Sequence, residues 1–160
     1  GIDEANAREK LVAIKGKIAI ANAKLAYREY QSIIASDRWQ RLAAHGATVQ
    51  RLLWASTGTK NPDYSDVMYV DELVGPDTVN TLPPNTLTAC ADHCDPQNRI
   101  ESGVPEAQTL IDSLADPDID IQIDQVMAEL LDEGIDKFVK PFQSLIQSLQ
   151  AKIDDLAPVA

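Results

Sequence analysis

Apolar residues recur at steps of three and four near the start of the chain, where Leu11, Ile14, Ile18, Ala21 and Leu25 form one stripe. This periodicity predicts a single alanine-rich helix over residues 3–36, with Lys15, Lys17 and Lys24 solvated or snorkelling along its polar side. A short helix over 37–45 follows, with Trp39 and Leu42 turned inward and Gly46 as its stop. The rhythm then changes. Leu52-Leu53-Trp54-Ala55 is a compact apolar run, of the length and bulk expected of a strand covered on both faces.

Ser65 to Val74 reads as a short helix capped by Ser65 and stopped by Gly75. Asp77 to Leu82 is short and β-branched, which predicts a second strand closed by Pro83-Pro84. Asn85 then caps a helix that carries Leu87, Cys90, Ala91 and Cys94 on its apolar stripe. Residues 95–103 form a polar loop. Pro105 suits a first helical turn, and Leu110, Ile111 and Leu114 give that helix a buried face. Residues 117–124 alternate with a period of two, but their acidity favours a loop. A helix over 124–133 ends at Gly134. Another over 136–156 has Phe138, Phe142, Leu145, Ile146, Leu149, Ile153 and Leu156 on one side, with Pro141 as a kink or a first turn. Two strands among so many helices imply either an α/β architecture cut short or a mostly helical domain with a minor sheet.

Composition narrows this picture. The chain has 160 residues, 44% of them apolar, enough for one domain and too many for wholesale disorder. No apolar run approaches the ~20 residues of a membrane helix, and no signal peptide opens the sequence; the cytoplasmic location expected rests on the spacing of Cys90 and Cys94. The chain starts at Gly1, and Ile2-Asp3-Glu4 runs straight into a helical pattern, as in a piece of something longer or a processed terminus. The net charge of −11 is uneven: residues 1–60 hold ten Lys/Arg against five Asp/Glu, and the rest hold four against 20. Most of the acid falls at helix starts and on solvated faces, where it favours solubility. The one basic segment lacks an aromatic stacking surface, which argues against nucleic-acid binding.

Candidate chemistry gathers after the first strand. Ser56-Thr57-Gly58-Thr59-Lys60 is a hydroxyl-rich turn with one glycine and one cation, and Asn61-Pro62 ends it. A strand that delivers hydroxyls and a lysine into such a loop is a common way to hold an anion, although the same residues also serve ordinary loops by satisfying backbone groups. Cys90, His93 and Cys94 fall within one helical turn and could offer ligands to zinc, but His45 is the only other histidine and a second cluster is missing. The alternative is a pair of buried apolar cysteines, with no metal and no other cofactor. Their spacing does not suggest a secreted disulfide framework.

The stretch Leu53-Trp54-Ala55-Ser56-Thr57-Gly58-Thr59-Lys60-Asn61-Pro62 and the stretch Tyr69 to Pro84 closely resemble the C-terminal part of bacterial transaldolases. Gly16-Lys17-Ile18-Ala19-Ile20-Ala21-Asn22-Ala23-Lys24-Leu25-Ala26-Tyr27 and Glu133-Gly134-Ile135-Asp136-Lys137-Phe138 are similar to the same family, in its larger bacterial and cyanobacterial branch. The resemblance implies an α/β fold, the last two strands of a TIM (β/α)8 barrel with flanking helices, mostly helical overall. A whole barrel needs about 250 residues. Residues 1–160 are then one portion of a single barrel domain, with 104–160 as its C-terminal helical extension.

The activity implied is transaldolase chemistry of the non-oxidative pentose phosphate pathway. A lysine Schiff base carries a dihydroxyacetone unit between sugar phosphates: sedoheptulose 7-phosphate, fructose 6-phosphate, glyceraldehyde 3-phosphate and erythrose 4-phosphate. The family's Schiff-base lysine sits in an apolar Ile-Lys-Ile/Leu-Pro/Ala type of motif on an earlier strand, and this sequence has no such motif. The resemblance instead matches Ser56 and Lys60 to the place where the substrate phosphate is held, with Asn80 and Thr81 as pocket-lining candidates or as closures of the barrel mouth. Lys60 as the imine former is the competing assignment. The isolated chain is expected to be inactive, and to associate with itself or with the N-terminal half of a barrel. Alternative readings are an inactive homologue serving as a binding or oligomerisation module, and the transaldolase half of a fusion with glucose-6-phosphate isomerase.

Overall fold

The computed structural model describes residues 4–156. Their elements run α1 (Glu4–Ile14), α2 (Ile18–Ala35), α3 (Asp37–Ala44), β1 (Leu52–Ala55), α4 (Met68–Leu73), β2 (Thr78–Thr81), α5 (Pro84–His93), α6 (Val104–Asp112), a 3-10 turn (Ser113–Ala115) and α7 (Ile123–Leu156). They fall into two compact units, Gly1–Ile119 and Asp120–Ala160.

In the first unit β1 and β2 pair in parallel, with Leu52 opposite Thr78 and Ala55 opposite Thr81. Because α4 carries the chain between them, both strands end at the same edge of the sheet. Burial alternates along β1: Leu52 and Trp54 are half-buried, whereas Leu53 and Ala55 are exposed. The expectation of a strand covered on both faces is therefore corrected. Leu52 and Trp54 pack against Tyr27, Tyr30, Leu73 and Ile100, and the other face of the two-stranded sheet has no covering layer among the described residues.

The predicted long first helix is interrupted. Gly16 takes φ +81, and a Cβ there would lie 2.8 Å from Tyr64 Cζ, so the chain breaks between α1 and α2 and Tyr64 packs into the gap. The expected start at residue 3 lies outside the described residues. Within α2 the most buried positions are Ala21, Tyr27 and Tyr30. Ile20, Ala23, Tyr27, Tyr30 and Ile34 meet the core cluster at steps of three and four, while on the predicted stripe Ala21 is also buried and Ile14, Ile18 and Leu25 are half-buried. Leu11 on that stripe is exposed. Lys24 is not solvated: its ammonium lies 3.2 Å from Glu72 Oε2 and donates to the Ser102 carbonyl at 3.1 Å.

Caps also differ from expectation. Ser36 begins α3, its hydroxyl accepting from the Trp39 amide at 3.2 Å. Leu42 is exposed, because α3 turns only Trp39 partly inward. Ser65 makes a local turn to the Val67 amide at 3.3 Å and does not cap α4, which starts three residues later. Asn85 lies inside α5, whose first turn is supplied by Pro84. The buried side of α5 is Thr86 with half-buried Ala89, Cys90 and Cys94, and Leu87 and Ala91 face outward. Pro105 does open α6, and Leu110, Ile111 and Leu114 are partly or fully buried beside Ala107. Residues 117–122 form no strand, as their acidity implied.

Ile100 closes the core. It is fully buried, and its amide and that of Arg99 both donate to the Val74 carbonyl at 3.1 Å. Gly75 serves this approach rather than a helix stop: a Cβ on it would sit 2.0 Å from Ile100 Cγ2. In the second unit, α7 is continuous through Gly134 and Pro141. The lost amide of Pro141 removes one bond from 34 residues, and Lys137–Glu133 (2.8 Å) and Lys140–Asp136 (2.5 Å) ion pairs support the flanking turn. Its apolar residues, Phe138, Phe142, Leu145 and Leu149 among them, are exposed.

Gly75→Ala should lower stability by about 2 kcal/mol in chemical denaturation, because the added methyl must displace Ile100 from a filled core. Gly46→Ala meets no neighbouring atom, so its cost should come only from its φ of +89.

Candidate functional site

At the shared carboxyl edge of the two strands the chain leaves β1 through Ser56, whose φ is +57. A left-handed conformation at a residue with a Cβ costs about 1–2 kcal/mol and persists only where its surroundings impose it. Two restraints are visible. On one side Ala55 is held in the ladder opposite Thr81. On the other, Thr57 is buried and its hydroxyl donates to Asn80 Oδ1 at 2.7 Å. Gly58 follows in close contact with β2's continuation, where a Cβ would lie 3.1 Å from both Pro83 Cγ and Thr86 Oγ1.

This turn forms one wall of an open cleft of about 560 Å³. Leu53, Ala55, Ser56, Lys60 and Tyr64 line it, and Lys60 is the only charged side chain among the lining residues. Ser56 and Lys60 are both exposed there. No ion pair engages Lys60 among the described residues. The Thr59 hydroxyl lies beneath the same surface without a hydrogen-bond partner. Beyond Lys60, the Asn61 side chain accepts from the Asp63 amide at 3.0 Å, and this turn brings Tyr64 back to Gly16. A single cation in the same cleft wall as exposed Ser56, with no carboxylate among the lining residues, suits a small anion.

Ser56 and Lys60 therefore share one surface. Asn80 and Thr81 stand at the end of β2, outside the residues that line the cleft. The carbonyl oxygen of Asn80 is engaged by Thr57, and the Thr81 hydroxyl lies 3.4 Å from the Trp54 carbonyl. Lys60 is exposed in this chain, whereas imine-forming lysines are activated by desolvation or a neighbouring cation. Thr57, Gly58 and Tyr64 escaped the sequence reading. Their partners lie 23 or more positions away, and no local pattern marks them.

Cys90 and Cys94 are neighbours on the half-buried side of α5, but His93 is exposed and turned to Asp66. The Cys94 thiol donates to Asp71 Oδ1 at 3.0 Å and is pushed up to about 12, chiefly by that carboxylate and then by burial. His93 lies on the surface, with Nε2 2.8 Å from Asp66 Oδ1 and Nδ1 3.1 Å from Asp92 Oδ2. Among the described residues no group of three or more His, Cys, Asp or Glu side chains is placed to hold a metal ion.

The decisive comparison concerns the whole sequence. The family described as transaldolase/fructose-6-phosphate aldolase matches residues 2–149. This chain belongs to that family. It is 67% identical over 159 residues to "Transaldolase 2" of Nostoc sp. (strain PCC 7120 / SAG 25.82 / UTEX 2576), covering 99% of this chain and 42% of that protein. It is 63% identical to the "Transaldolase" of Trichodesmium erythraeum (strain IMS101), again over 99% of this chain and 42% of the relative. The actinobacterial "Transaldolase" of Saccharopolyspora erythraea is 51% identical over 88% of this chain and 38% of its own length. The chain thus spans about two-fifths of the length of the transaldolases it matches. Among its described residues no helix is long and apolar enough to cross a membrane.

The His93–Asp66 bond gives a pH signature to this transaldolase-family chain. The Asp66 carboxylate, then Asp92, raises His93 above its ordinary 6.5, and His93 lowers Asp66 below its ordinary 3.8. A raised histidine contributes stability that is fully present below pH 6.5 and is lost as pH rises through its folded-state value. The Asp66 contribution is present above pH 3.8 and is lost as pH falls through its lowered value. The melting-temperature difference between the chain and His93→Gln should therefore be largest between about pH 4 and 6 and shrink on both sides. A difference independent of pH would contradict the assignment.

Proposed function

We propose that this chain is the phosphate-holding part of a transaldolase, an enzyme that transfers a dihydroxyacetone unit between sugar phosphates through a lysine Schiff base. The observation that carries the reading is the cleft at the strands' carboxyl edge, whose only charged lining residue is Lys60 and whose rim carries Ser56. Ligands of α/β sheets bind beyond the carboxyl ends of the strands, and barrel enzymes hold phosphate near their last strands. Ser56 donates a hydroxyl hydrogen bond to a phosphate oxygen, and Lys60 supplies a compact positive charge. The Schiff-base lysine belongs to a part of the barrel outside this sequence, and residues 104–160 extend the barrel as helices.

The substrates on this reading are sedoheptulose 7-phosphate, fructose 6-phosphate, glyceraldehyde 3-phosphate and erythrose 4-phosphate, in the cytoplasm. A parallel sheet of only two strands, each with one unpaired edge, supports completion by further strands, and its open face supports a covering layer. A second reading, a binding or self-associating module without activity, draws on the exposed apolar residues of α7.

Borohydride trapping with fructose 6-phosphate, read by peptide mass spectrometry, separates these roles. No adduct should form on Lys60, and supplying the rest of the barrel should produce an adduct on that added part. An adduct on Lys60 of the chain alone would overturn the phosphate assignment. Lys60→Ala should weaken binding of fructose 6-phosphate by about tenfold, the order expected for one charge-assisted hydrogen bond, and leave binding of unphosphorylated fructose unchanged.

A further inference from the structure

We propose that Thr57 and Asn80 are positioning residues for phosphate binding: their buried hydrogen bond fixes the left-handed turn that presents Ser56 and the loop to Lys60. The inference rests on the phosphate reading of the cleft and goes beyond it, because neither residue need touch the ligand.

The backbone is strained at Ser56. A serine at φ +57 would relax toward the extended or helical region if the chain on either side were free. The strand ladder fixes Ala55 but ends there, at the pair with Thr81. The next restraint is Thr57, whose side chain is 6% exposed and whose hydroxyl reaches across to β2 at 2.7 Å from Asn80 Oδ1. Ser56 is thus bracketed by one backbone pair and one side-chain bond, both tied to the same strand. The bond runs between side chains 23 positions apart, so it fastens the loop to the sheet itself.

The close approach of Gly58 to Pro83 and Thr86 extends the fixed segment by one residue. By the time the chain reaches Thr59 and Lys60, the direction of the loop is set. Preorganised donors bind an anion without the ordering cost that a mobile loop would incur. Removal of the Thr57 hydroxyl leaves the Asn80 oxygen without its donor and releases the segment that carries Ser56. The effect should therefore fall on recognition of phosphate and spare the sugar.

The test compares affinities of the chain for fructose 6-phosphate and fructose by calorimetry, with folding verified by circular dichroism. Thr57→Val should lose about tenfold in affinity for fructose 6-phosphate with fructose unchanged, and Thr57→Ser should restore wild-type affinity within about twofold. Asn80→Ala should match Thr57→Val, and the double variant should be no worse than either single one. Unchanged phosphate affinity in folded Thr57→Val, alongside weakened binding in Ser56→Ala and Lys60→Ala, would overturn the positioning role and leave the phosphate site standing. Unchanged affinity in all of them would overturn the phosphate reading and this inference together. If Thr57→Val and Asn80→Ala both fail to fold, the bond is purely structural and the proposal is also overturned.

Discussion

The packing of one face of α2 against Ile100 and the inner side of β1 is the constraint on which the first unit depends. Tyr27 and Tyr30 lie with ring centroids 6.1 Å apart and share a cluster with Leu73, Ile100, Leu52 and Trp54. That cluster joins Leu52 of the sheet to Tyr27, 25 positions earlier, and to Ile100, 48 positions later. Fully burying an aromatic or aliphatic side chain contributes about 1.5–3 kcal/mol, so a handful of such residues outweighs any single surface ion pair in the molecule. The close approach of Gly75 to Ile100 lets the chain leave α4 at the right depth for β2 to pair with β1. The site then follows from the pairing. Parallel strands in this register end together, and the turn after β1 can reach across to Asn80 only because Ala55 and Thr81 are opposite each other.

Much of this was legible in the sequence because it is local. The short bulky run at 52–55 and the β-branched run at 78–81 announced both strands, and Pro105 announced α6. The Ser-Thr-Gly-Thr-Lys turn marked Ser56 and Lys60 as candidates, and the structure brings both to one cleft. What was not legible depends on tertiary partners. Gly16 reads as a tolerable glycine in a helix until Tyr64 is known to fill the space beside it. Lys24 reads as solvated until Glu72 and Ser102 arrive from far along the chain. The predicted stripe of α2 does hold buried Ala21, but Tyr27 and Tyr30, which meet the sheet, lie on a neighbouring line of the same period.

In α7 Gly134 is not a stop and Pro141 does not open a helix: the helix runs through both, their combined cost of about 4 kcal/mol being offset over a long run of good helix formers. The apolar residues of α7 and the outer face of β1 are both exposed in this chain, which spans 42% of the Nostoc relative. In the sequence these positions look like core. The difference between a core pattern and an exposed surface is what the barrel-portion reading explains, with the open sheet face as its physical basis.

Phosphate binding at the turn after β1 can be read from a titration of the isotope-labelled chain with inorganic phosphate, followed by amide resonances. Saturable shifts should centre on residues 56–60, vanish in Lys60→Ala and be absent with an equal concentration of chloride. Shifts that centre elsewhere on the folded chain, or that persist in Lys60→Ala, would place the phosphate site outside this turn.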